Sequence, residues 1–238
     1  MGSIAGSKKL KRQMAPLFWG IHRKNKRFVI TVMPGSHPKN SSIPTAVLLR
    51  DVLNVVTTLR EAKSVIYNGK VIVDGIIRKS LHHSIGLMDV VELQGVSDVY
   101  RLVPTHGHTL QPIKIETDEK SKKLVKVTSK TTIKGKKTQL GFHDGRTIIT
   151  ENDVNVGDSC LIQIPEQKIL DVIKLEKDSL VIVTRGINTG QVGHVNSINK
   201  ATFTLSKRIN LTIDKKKFEM PADLVIVVGK KKPVIQIK

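Results

Sequence analysis

Ten basic side chains stand in the first 50 residues: Lys8, Lys9, Lys11, Arg12, Arg23, Lys24, Lys26, Arg27, Lys39 and Arg50. No Asp or Glu accompanies them. The chemistry open to such a run is electrostatic. Crowded cations repel one another, and a polyphosphate relieves that repulsion while releasing its condensed counterions. The competing outcome is a solvated, disordered arm that only aids solubility. Pro16, Leu17, Phe18 and Trp19 interrupt the run, and a Trp in such a place packs against protein more readily than against a base. The segment is read as a nucleic-acid strap, with Lys8, Lys9, Lys11, Arg12, Arg23, Lys24 and Arg27 as its contacts.

Catalytic chemistry finds less support. His82-His83 and His106-Gly107-His108 lack a Cys or carboxylate partner at ligand spacing, so no metal is expected. The single Cys160 excludes an internal disulfide. Within Asp158-Ser159-Cys160-Leu161-Ile162 it reads as a buried small residue of a strand, not a nucleophile. Asp144 lies in Gly141-Phe142-His143-Asp144-Gly145, where Asp-Gly makes an ordinary turn. Neither a Gly-x-x-x-x-Gly-Lys-Ser/Thr phosphate loop nor a Gly-rich strand-to-helix signature is present. The expected protein is not an enzyme and takes no cofactor and no small-molecule substrate.

Composition sets the scaffold. The chain has 238 residues with 40 Lys+Arg against 20 Asp+Glu, a formal +20, and it is 39% hydrophobic but only 3% aromatic. Its core must come from Val, Ile and Leu, which favours strands. No apolar run approaches the ~20 residues that span a bilayer, and Met14–Ile21 is too short for a secretory signal. A cytosolic protein with a polyanionic partner and no membrane is expected.

Past the breaker-rich Pro34–Ser42 stretch, Leu48, Leu49, Val52, Val55 and Val56 recur at helical spacing. Thr58-Leu59-Arg60-Glu61 is a capping box opening a second helix. That helix puts Leu59, Ala62, Val65 and Ile66 on one arc and Arg60, Lys63, Ser64 and Tyr67 on the other. Asn68-Gly69 ends it. Asp74-Gly75 between Lys70–Val73 and Ile76–Lys79 predicts a hairpin. Residues 51–104 balance at six basic and six acidic groups. Any RNA surface here therefore rests on clustering, with Arg50, Arg60, Lys63, Lys70, Arg78 and Lys79 flanking the helix–hairpin junction. The bland reading is a solvated helix face.

Beyond, Lys114–Lys137 carries nine lysines and three acids, and Leu124-Val125-Lys126-Val127 alternates as in a half-exposed hairpin. Leu180–Val183 and Gln191–Val195 enclose a loop with Gly186, Gly190 and Gly193, fit for sharp bending and close backbone approach. Strands are expected at Thr202–Leu205 and Leu224–Val228, completing a small barrel before the basic Gly229–Pro233 tail.

Leu49–Leu53, Arg60-Glu61-Ala62, Asn68–Val71 and Val73-Asp74-Gly75 resemble the RNA-binding module of bacterial small-subunit ribosomal protein four, which also occurs in some pseudouridine synthases and tyrosyl-tRNA synthetases. Val183–Val195 resembles the KOW motif of ribosomal and transcription-elongation proteins. Their order, with the basic arm before and a β-domain between, resembles the archaeal and eukaryotic small-subunit ribosomal protein four of the e-type; Ser42-Ile43-Pro44 and Gly86–Val90 fit as well. The compact C-terminal end looks more archaeal than eukaryotic.

The resemblance implies an α+β, β-rich chain divided into a basic arm (1–40), a helix-hairpin RNA-binding module (41–103), a central β-domain (104–172) and an SH3-like KOW barrel (173–238). It implies a structural constituent of the small ribosomal subunit, with small-subunit ribosomal RNA and neighbouring ribosomal proteins as partners. It also implies RNA contacts at Arg50, Arg60, Lys63 and Lys70, with Arg185 and Asn188 as weaker ones. The physical reading concurs, since a helix N-terminus with its cations can hold phosphate. Ile76-Ile77 departs from the pattern by putting an apolar pair on the hairpin's second strand. The alternatives are a free-standing RNA-binding, RNA-modifying or chaperone factor acting transiently on ribosomal RNA, and a transcription-associated KOW factor. Gly145-Arg146-Thr147 lacks the Asp that follows the Gly-Arg-Leu of pseudouridine synthases.

Overall fold

The computed structural model describes residues 9–105, 108–213 and 216–237. Contacts divide the chain into two compact units: one runs to Leu102 and takes up Leu110–Lys120, and the other comprises the remainder.

In the first unit, β1 (Lys9–Lys11) pairs antiparallel with β2 (Phe28–Ile30). Between them, Trp19 is fully buried, and its Nε1 donates to the Ser42 carbonyl at 2.8 Å. Ala15, Trp19, Val29 and Val32 join a core with Ile43, Ala46–Leu49, Ala62 and Ile66. The basic segment is thus built into this unit by its apolar residues. A strap lying free on a nucleic acid is not what residues 9–40 form.

β3 (Ile43–Pro44) leads into α1 (Thr45–Val47) and a π-helical turn over Leu48–Val52. The expected helical face breaks here: Asn54 takes φ +53, Val56 is buried and Val55 is left 47% exposed. α2 (Leu59–Tyr67) starts at the expected capping box, with both reciprocal bonds made. Ala62 and Ile66 face the core, while Arg60, Lys63, Ser64 and Tyr67 face outward. Gly69 (φ +74) closes the helix, its N–H donating to the Ile66 carbonyl. β4 (Val71–Val73) and β5 (Ile76–Ile77) form the expected hairpin, turning through Asp74 (φ +52) and Gly75 (φ +75). Positive φ at both central residues is the mark of a type I′ turn, whose twist matches that of the flanking strands. After β6 (Ser84–Ile85), which pairs with β3, come β7 (Val90–Leu93), β8 (Val99–Thr105) and β9 (His108–Ile115), giving the sheet order β5-β4-β7-β8-β9.

The second unit holds two antiparallel five-stranded sheets. One is built from β10 (Lys122–Thr132), β11 (Thr138–Phe142), β12 (Thr147–Thr150), β13 (Ser159–Gln163) and β14 (Lys168–Ile173), in the order β12-β11-β10-β13-β14. The alternation expected across Leu124–Val127 does not appear. Lys123 is fully buried and Lys126 nearly so, together with Leu124, Val125 and Val127. Their ammonium groups find partners inside: Lys123 reaches Asp144 at 3.1 Å, and Lys126 donates to the Ala222 carbonyl at 2.7 Å.

The other sheet takes β15 (Leu180–Val183), β16 (Val192–Asn199), β17 (Arg208–Ile213), β18 (Lys216–Pro221) and β19 (Val225–Gly229), in the order β18-β17-β16-β15-β19. Residues 202–205 are not the expected strand. They form a turn, Thr202 N–H donating to the Leu205 carbonyl at 2.9 Å, and Phe203 is fully exposed. The strand comes later, where Ile209, Leu211 and Ile213 give a true period of two.

Candidate nucleic-acid interface

The structure sorts the expected contacts by what their charges already touch. Lys8 lies outside the described residues, and Lys9 opens β1. Arg12 is buried, and its guanidinium donates to the carbonyls of Lys26 at 2.8 Å and His22 at 3.1 Å. Arg23 donates to Gln13 and Ala15 carbonyls at 3.0 and 3.1 Å. These two arginines hold the 22–26 loop in place. Lys11, Lys24 and Arg27 are exposed, with the Arg27 guanidinium 5.3 Å from the Phe28 ring centroid. Arg50 is half-buried and bidentate to its neighbour Asp51, at 3.1 and 2.6 Å.

α2 carries the cleanest cationic face. Arg60 and Lys63 project from it into solvent, Lys63 Nζ lying 5.5 Å from the Tyr67 ring centroid. Lys70 follows the helix and Lys79 the hairpin, both exposed, and the Lys79 chain passes beside Gly69. Arg78 is half-buried, and Ile76 and Ile77 are both exposed on the hairpin's second strand. Cations near the C-terminal end of α2 are also favoured by its dipole.

The N-terminus of α2 is less open than the sequence suggested. The Glu61 carboxylate accepts the N–H groups of Thr57 and Thr58 at 3.0 and 3.3 Å, and Thr58 Oγ1 accepts that of Glu61 at 3.2 Å. Led by the Thr57 N–H, these bonds hold the Glu61 carboxyl below its usual range. The helix supplies its own anion there, which leaves the side-chain cations to attract an external one.

A groove of about 690 Å³ runs beside this end of α2. It brings Arg12 and Arg50 together with Lys26 and His22, two residues not counted among the contacts. Lys26 stood in the Arg23–Arg27 run, and what hid it was the fold that turns this loop toward α2.

In the second unit, Arg185 is exposed and Asn188 half-exposed on the glycine loop, where Gly186 and Gly190 take φ +102 and +80. Gly193 serves close approach: a Cβ there would lie 2.7 Å from Ile213 Cγ1 and 2.8 Å from the Thr212 carbonyl oxygen.

The groups weighed for catalysis have structural surroundings. Burial would raise the Asp144 carboxyl, but Lys123, His143 and Arg146 outweigh it and hold it below its usual range. Burial, reinforced by Asp158 and Asp171, pushes the Cys160 thiol up to about 12. That suppresses the thiolate a nucleophile would need. His82 Nδ1 lies 2.8 Å from the Thr31 carbonyl oxygen.

Two family models match: the ribosomal family S4e over residues 96–169, and the RS4NT (NUC023) domain over residues 5–40. The small ribosomal subunit protein eS4 of Methanothermobacter thermautotrophicus is 39% identical, over 100% of this chain and 98% of the relative. That of Methanosphaera stadtmanae is 38% identical over the same shares. The crystal structure of the 30S ribosomal protein S4e from Thermoplasma acidophilum superposes with a TM-score of 0.70 at 32% identity, covering 81% of this chain and 97% of that one. A β-rich chain with few helices, full-length similarity and two matching models define one class: the chain belongs to the S4e family of ribosomal proteins, which is not a family of enzymes.

Proposed function

We propose that this chain is a structural constituent of the small ribosomal subunit, working in the cytoplasm, where it binds ribosomal RNA beside neighbouring ribosomal proteins. The observation that carries this is the end-to-end similarity to relatives named small ribosomal subunit protein eS4. The charge supports it: a formal +20 is unfavourable for a free protein and favourable against phosphates. Arg60 and Lys63, with Lys70 and Lys79, make the principal RNA face. Arg60 contributes a fork that can bridge two phosphate oxygens. Lys11, Lys24 and Arg27 offer further exposed cations, and Arg185 and Asn188 present a second surface on a KOW-type loop. The sheet that carries this loop is read as the SH3-like barrel, and residues 41–103 as the ribosomal-protein-four-type module.

A sucrose gradient of native lysate, probed for this chain at low and high salt, tests the assignment. Stoichiometric migration with the small subunit that survives the high-salt wash is expected. Migration near the top, or loss at moderate salt, would overturn it.

A further inference from the structure

The groove beside α2 has a composition that phosphate binding alone does not call for. Its floor is apolar, from Val29, Ile30, Val56 and Leu81, and Phe28 and Leu59 stand at it 45% and 41% exposed. Its charged lining is three cations, Arg12, Lys26 and Arg50, against one carboxylate, Asp51, which Arg50 already holds. A site needing only phosphates would be served by a flat cationic surface. Its volume, about 690 Å³, falls in the range of about 300–1,000 Å³ found for clefts that take drug-sized ligands, which leaves room for a nucleobase.

We propose that this groove receives a single unstacked nucleobase of an RNA strand, with a flanking phosphate on Lys26. The inference rests on the RNA-binding reading above and adds the element that the strand inserts. An apolar floor offers a base face what water cannot, and the positive charge beside it favours a polyanionic strand over an uncharged or cationic surface. Asn54, exposed and held at φ +53 on the groove wall, can bond a base edge through its amide. The walls are set before binding. Arg12 pins the 22–26 loop through two carbonyls, and Glu61 pins Thr57 and Thr58. Little ordering then remains to oppose binding.

The test uses the full chain and two RNA hairpins of equal length. One is fully paired, and the other carries a single bulged 2-aminopurine. The bulged hairpin is expected to bind about tenfold more tightly, the low end of what one stacked base contributes, with a change in 2-aminopurine fluorescence. Leu59→Trp fills the groove without touching its charge. It should abolish that preference while leaving affinity for the paired hairpin and its salt slope unchanged; circular dichroism and a thermal melt check the variant's fold. Lys26→Gln should weaken the bulged hairpin more than the paired one, because only an inserted base sets its flanking phosphate on Lys26. Equal affinity of the wild-type chain for the two hairpins would overturn the proposal while leaving RNA binding intact. So would a preference that survives Leu59→Trp, and a groove serving a segment of a neighbouring protein would give the equal-affinity result. Binding of neither hairpin would sink the RNA-binding reading along with it.

Discussion

Helix α2 and strand β10 both interleave lysines or arginines with apolar residues, and they put them to opposite uses. On α2, Arg60 and Lys63 stand in solvent while Ala62 and Ile66 are buried. On β10, Lys123 and Lys126 are buried along with Leu124, Val125 and Val127. A nine-residue helix with one partner surface leaves its other arc to water. A strand at the centre of its sheet, paired with β11 and β13, has no guaranteed wet face. Where Asp144 and the Ala222 carbonyl await an ammonium, a lysine can be buried. A count of cations therefore overstates the RNA surface. Arg12 and Arg23 make the same point in the first unit, because their guanidinium groups are occupied by backbone carbonyls.

Substituting Lys123 tests that contrast hardest. Lys123→Ala would leave Asp144 buried beside Arg146 without its ammonium, and breaking a buried pair in this way costs about 3–5 kcal/mol. Urea unfolding should show a loss of that size, with RNA affinity of the remaining native protein unchanged. A loss below about 1 kcal/mol would place Lys123 with ordinary surface lysines.

Reversing the α2 face is the counterpart. Arg60→Glu with Lys63→Glu should lower affinity for small-subunit ribosomal RNA at least tenfold and reduce the log–log salt slope by about two. Its urea midpoint should hardly move, since both side chains lie in solvent. Unaltered affinity would shift the RNA face away from α2.

The smallest effect is a pH dependence. Burial pushes the Lys126 ammonium down to about 8, partly offset by Asp223 and reinforced by Lys207. Its unfolded value is about 10.5. Between those pH values the unfolded chain holds a proton that the native chain has released, so stability rises with pH, by at most about 1.4 kcal/mol per unit. Cys160 acts in the opposite sense from about pH 9, because its thiol is raised from 9.0 to about 12 when folded. Unfolding measured from pH 7 to 9 should therefore show a rise that Lys126→Met removes. A flat profile for the parent chain would mean that Lys126 is not desolvated.

Local patterns carried much of this structure. Thr58 and Glu61 set the start of α2, and Asn68-Gly69 its end, because capping depends on residues three or four apart. Asp74-Gly75 set a hairpin by the φ values its turn needs. The glycine spacing of 186, 190 and 193 marked a sharply bent loop packed close to β17. Failures came where distant chain decided. Thr202–Leu205 has strand-forming residues, yet among the described residues no strand pairs with it. Val55 keeps helical spacing, but the π-helical turn and the left-handed Asn54 rotate it outward.

That this is a β-rich, cation-heavy chain of the S4e type is legible in composition, charge and short-range motifs, which need no knowledge of tertiary contacts. Which cations are available was settled by long-range packing. A side chain's charge is written in the sequence, but whether it meets solvent, a carboxylate or a backbone carbonyl depends on segments far along the chain. Trp19 reaching Ser42, Lys126 reaching Ala222 and the groove joining Lys26 to Arg50 are all contacts of that long-range kind.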